Sequence, residues 1–194
     1  MKEIPVNTYS AKTCDNCALH SGINCHFTIG QLIRFYLIVL PSFILGGTGI
    51  YQYSSIFLVM WLAILGLFFF VIEIHVLCTH CPHYAEPDYT LRCWANYGAP
   101  KPWKFRPGPM NGYEKAIQLS GFAVVWGYPV PFMISNTNWY LLIGYVCSVL
   151  FFFISLKRLY CKICMNLSCP LNGVKPEIKR KILEKNPVIR DSWK

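Results

Sequence analysis

Nine of the ten cysteines fall into three groups of one design: Cys14-x2-Cys17-x7-Cys25, Cys78-x2-Cys81-x11-Cys93 and Cys161-x2-Cys164-x4-Cys169. Each group holds one CxxC pair and one later cysteine. A tight turn across two intervening residues brings both thiolates of such a pair onto one cation. A single CxxC is a weak signal; three of them, each with a third cysteine, form a strong one. Histidines extend two of the groups. Cys14, Cys17, His20, Cys25 and His26 can supply three thiolates and one imidazole to a single ion, and so can Cys78, His80, Cys81, His83 and Cys93. Mixed thiolate and imidazole sets of this kind suit tetrahedral zinc. The third group has no histidine nearby and needs a ligand from elsewhere, such as His20, His26, His80 or His83; because all three groups line one face of the bundle, sites shared between groups are one arrangement the sequence allows. Spacing alone does not say which residues pair, and each histidine is also readable as an ordinary hydrogen-bonded loop residue.

Three other chemistries compete with zinc. Iron–sulfur ligation is the first, because Pro170 follows Cys169 and Pro82 follows Cys81, as proline follows the last cysteine of bacterial ferredoxin runs. The compact C-x2-C-x2-C run is absent, however, and nine cysteines do not divide into sets of four. Disulfides are the second, and they are disfavoured wherever thiols are kept reduced. The third is a membrane enzyme using a thiolate or an open metal position near Glu73. Cys147, in mid-span, reads as a small buried residue.

The elements that position these residues are membrane helices. Of the 194 residues, 54% are hydrophobic and only 14% charged, roughly half the charged share of a soluble domain. A bilayer core needs about 20 apolar residues per helix. Four runs qualify, near 32–51, 54–78, 116–135 and 139–156. Pro41, Pro129 and Pro131 fall inside them, and WGYPVPF is expected to divide the third. No early apolar segment with a cleavage site precedes them, so the first run reads as a retained span. The expected fold is an all-α integral membrane four-helix bundle with a cysteine-rich cytoplasmic cap. Its expected parts are an N-terminal Cys/His segment (1–31), a first transmembrane hairpin (32–78), a Cys/His and basic-aromatic loop (79–115), a second hairpin (116–156) and a Cys-rich basic tail (157–194).

No Lys or Arg lies between Arg34 and Arg92, or between Lys115 and Lys157, and all 18 fall on the face that carries both termini and the long loop. Positive residues near span ends set orientation, so both termini are expected in the cytoplasm, at the plasma membrane if the cell is prokaryotic. The net charge of +9 then follows from that bias and from anionic headgroups, with no nucleic acid required. Tyr51, Tyr53, Trp139 and Tyr140 form an expected outer aromatic belt, with Trp103, Tyr113 and Tyr160 as an inner one. Arg92, Lys101, Lys104 and Arg106 are expected headgroup contacts. The tail is expected to form a helix from Pro176, with Ile178 and Ile182 on one side, resting on the membrane surface.

Glu73 is the only acidic residue inside an apolar run. An intramembrane carboxylate is a functional candidate by default: it can pair with Arg34, relay protons or help ligate a metal. Walker A, G-x-G-x-x-G, H-E-x-x-H and G-x-S-x-G motifs are absent. The reading is a polytopic membrane protein with cytoplasmic cysteine-ligated metal sites. Zinc is favoured, in a structural or accessory subunit that meets a protein partner on the cytoplasmic face. The alternative is an iron–sulfur electron-transfer protein, possibly a quinone-linked one, and whether the chain is an enzyme stays open.

Overall fold

The computed structural model describes residues 22–24 and 28–194. It is all-helical, and its four long apolar helices span Ile29–Tyr53, Ser55–His80, Gly112–Ser135 and Trp139–Ile163. Among the described residues no strand forms; the nearest thing is one bridge between Thr90 and Pro100. Residues that face outward from the spans are as apolar as any inside, with Leu37 66%, Ile56 70% and Phe70 68% exposed. Water would not tolerate that belt, whereas lipid does. The first span packs mainly against the fourth and against the end of the third.

Short polar caps join the spans. Ser54 closes one helix and opens the next: its N–H bonds Ile50 O at 2.9 Å, and its Oγ accepts the Ile56 N–H at 3.3 Å. Asn138 caps the fourth span through the Leu141 N–H, and Asn111 and Glu114 form a reciprocal capping box on the third. With turns this short, residues 22–24, 81–111 and 164–194 all emerge at one end of the bundle.

The third span is divided as its prolines require, into Gly112–Gly127 and Pro129–Ser135, with Tyr128 between them still helical. Pro129 has no N–H to give Val125 O. The indole of Trp61, from the second span, donates to that carbonyl instead, at 3.1 Å. Close to the break, Tyr145 donates its hydroxyl to Trp126 O at 2.6 Å. Neighbouring side chains thus replace helix bonds that lipid cannot. Spans two and three meet at Gly121, where the ring of Phe68 occupies the space a Cβ would need.

Three expectations are corrected. Tyr160 is not in an interfacial belt: it is 7% exposed and stacks on Trp94, centroids 4.7 Å apart. Cys147 is exposed on the lipid-facing surface rather than buried. The tail helix Pro176–Lys185 forms where expected, but Ile182 packs with Ile23, Met165, Leu167 and Val174. Its apolar stripe covers protein rather than membrane, because the loop after Cys164 offers an apolar partner closer than the bilayer.

Candidate metal centre

Two spans end in the same way. A five-residue π-turn, Phe68–Ile72 in the second span and Leu156–Tyr160 in the fourth, shifts each helix shortly before its cysteines. Such turns recur at functional sites because they re-aim the residues that follow. Each CxxC then begins a 3₁₀ turn, Cys78–His80 or Cys161–Ile163. Each second cysteine is extended, Cys81 at φ −81°, ψ 135° and Cys164 at φ −79°, ψ 128°. The two pairs are therefore near-copies in backbone, although they lie 83 residues apart in the numbering.

They converge. Cys78, Cys81, Cys93, Cys161, Cys164 and Cys169 all line one cavity of about 90 Å³, together with Glu73 and His83. Leu77, Leu91, Trp94, Phe122, Leu156 and Leu171 supply apolar wall. The two groups are also stitched together. Asn166 Nδ2 donates to Leu77 O at 2.9 Å, Trp94 stacks on Tyr160, and the Trp94 indole bonds the Cys164 sulfur. Among the described residues no three His, Cys, Asp or Glu side chains close on a single point as ligands of one ion must. The thiols instead surround a space.

Four of the six sulfurs accept a backbone N–H from the residue two positions on: Cys81 from His83, Cys93 from Ala95, Cys164 from Asn166 and Cys169 from Leu171. Cys93 also accepts the Asn96 N–H at 3.1 Å, and Asn96 Nδ2 reaches Cys78 Sγ at 3.4 Å. N–H donors aimed at sulfur favour thiolate over thiol. Burial opposes them and wins. It drives the Cys93 and Cys169 thiols up to about 12, and those of Cys81 and Cys164 also upward, with neighbouring sulfurs adding to the shift at Cys81, Cys93 and Cys169. Donors are thus aimed at sulfurs that burial keeps protonated.

The histidines separate. His83 is 1% exposed and lines the cavity, its Nδ1 held 2.7 Å from Glu86 Oε1. A carboxylate on Nδ1 sets the tautomer with the lone pair on Nε2, the arrangement common for metal-binding imidazoles. His80 is directed elsewhere: Nδ1 is 2.7 Å from Gly108 O and Nε2 3.3 Å from Glu114. Arg106 completes that second cluster, bonding Glu114, Thr79 Oγ1 and His75 O. This is a clamp tying the long loop to the second span. Glu73 lies on the cavity wall beside Gln118 and does not form a pair with Arg34. Arg92 is paired with Asp88, and Lys101 donates to Glu86 O at 3.0 Å. Of the four expected headgroup cations, Arg92, Lys101 and Arg106 therefore hold the loop together.

Cys14, Cys17, His20, Cys25 and His26 lie outside the described residues. The adjoining segment is described, and the Asn24 N–H donates to Ile163 O at 3.0 Å, inside the Cys161–Cys164 turn. Sequence reasoning overlooked Asn96, Asn166, Trp94 and Glu86. All but Glu86 sit within three residues of a cysteine, a usable signal for residues that orient sulfur. Comparison with family models, with curated proteins and with solved structures finds no match to this chain.

Proposed function

We propose that the chain is a polytopic membrane protein in which the second and third cysteine groups jointly hold thiolate-bound zinc at the cytoplasmic border of the bilayer. The metal orders a face that a protein partner binds. One observation carries this reading: six thiols from two distant groups surround a single cavity, with backbone donors aimed at four of the sulfurs. Six inert thiols have no reason to gather so. A metal bound there adds folding energy to the segments that carry the thiols. A cytoplasmic location is supported by the 18-to-0 distribution of Lys and Arg and explains why these thiols stay reduced. The first group, Cys14, Cys17 and Cys25 with His20 and His26, is proposed as a further zinc ligand set.

A second reading keeps the site and changes the metal. The apolar wall around the cavity is the kind of shell that, with N–H···S bonds, tunes an iron–sulfur cluster for electron transfer. Elemental analysis of anaerobically purified protein separates the two. Zinc in a colourless preparation supports the structural role. Iron and labile sulfide in equal amounts, in a brown preparation, support electron transfer. The absence of both metals refutes the proposal.

A further inference from the structure

The geometry points to a dinuclear zinc centre in which the six thiols of the second and third groups hold two ions, with the sulfurs of Cys81 and Cys164 bridging them. This rests on the proposal above that the cavity binds zinc.

Tetrahedral zinc takes four ligands, so two ions need eight ligand positions. Six sulfurs fill all eight when two of them serve both ions. All six sulfurs belong to residues that line one cavity. Cys78, Cys81 and Cys93 interact electrostatically with one another on one side, and Cys161, Cys164 and Cys169 do so on the other. The two triads are in reach of each other through Cys164, which faces Cys81 and Cys93. Cys81 and Cys164 are also the matching residues of two turns with near-identical backbone angles. All six thiols line the same cavity of about 90 Å³, so one site can draw on both triads.

Charge supports the same count. Two zinc dications bound by six thiolates displace six thiol protons and leave a net charge of −2. One cation stands by each half: Lys101 within electrostatic reach of Cys81, and Lys157 within reach of Cys161. Glu73 and His83 then act as wall groups rather than ligands.

The test replaces zinc by ¹¹³Cd in the full-length protein and records the ¹¹³Cd spectrum. Two all-sulfur resonances that split each other through shared sulfur are expected; resonances without mutual splitting overturn bridging. A second measurement counts zinc in a full-length variant with Cys14, Cys17 and Cys25 changed to Ser. Two zinc ions per chain are expected, and one ion, or iron, overturns the dinuclear centre while leaving a metal site. No metal at all would refute the underlying proposal instead. In that background Cys164→Ser should lose both ions and Cys78→Ser at most one; equal losses from the two variants count against bridging.

Discussion

Replacing Trp61 by Phe should expose how the third span survives its prolines. Trp61 is 2% exposed and its indole is the donor that meets Val125 O, the carbonyl four residues before Pro129. The variant removes that donor from a buried site. An orphaned buried carbonyl costs about 1–3 kcal/mol in general, while measured interhelical bonds in membranes average about 0.6 kcal/mol and reach about 1.7. A cost of about 1 kcal/mol for the bond is therefore expected. Lost contact with Phe43 and the Gly46 helix face adds roughly 1–2 kcal/mol, as for other large-to-small core changes. Pro129→Ala supplies a new N–H that can bond Val125 O itself. The two changes should then be non-additive, with the double variant more stable than the sum by about 1 kcal/mol, the share that belongs to the bond. Reversible unfolding in mixed detergent micelles measures the four stabilities. Additivity within about 0.3 kcal/mol would show that Trp61 contributes packing alone and that the substitute bond is of no consequence.

Other expectations follow from the same geometry. Gly121→Ala forces the Phe68 ring from its place and should destabilise the bundle by about 1–3 kcal/mol, with Phe68→Leu in the same chain restoring part of the loss in the same unfolding assay. Arg106→Ala leaves the buried Glu114 carboxylate without its guanidinium and should cost about 1–3 kcal/mol; Lys at 106 should not rescue it, since one ammonium cannot reach three partners. Ile182→Asp should release the tail helix, seen as faster tryptic cleavage at Lys179 and Arg180 with the spans intact, because Ile182 is 2% exposed. Zinc affinity should rise with pH. In the metal-free chain Cys93 and Cys169 lie near 12 and hold their protons at neutral pH, so binding must expel protons, and each one expelled steepens the dependence by about tenfold per pH unit. A pH-independent affinity between pH 6 and 8 would mean that thiols are not the ligands.

The spans were readable because a run of about 20 apolar residues has few alternatives to crossing a bilayer, and the division at Pro129 followed from a missing donor. That the second and third cysteine groups share a cavity was readable only as a shared end of the bundle. Their junction depends on Asn166 reaching Leu77 and on Trp94 stacking over Tyr160, contacts between residues 66 to 89 apart that no local spacing encodes. His80 and His83 look alike in sequence; Glu114 and Gly108 claim one, Glu86 the other. The tail illustrates a different limit. An amphipathic helix has one apolar stripe whether it covers lipid or protein, and only the apolar loop after Cys164 decided for protein.

Zinc K-edge X-ray absorption on the full-length protein with Cys14, Cys17 and Cys25 changed to Ser tests the central claim most directly, since it reads the atoms bound to the metal. The account predicts a shell of four sulfurs at about 2.3 Å, lost when Cys81 and Cys164 are both changed to Ser. A shell of nitrogen and oxygen near 2.0 Å, or a zinc signal unaffected by those two changes, would contradict it.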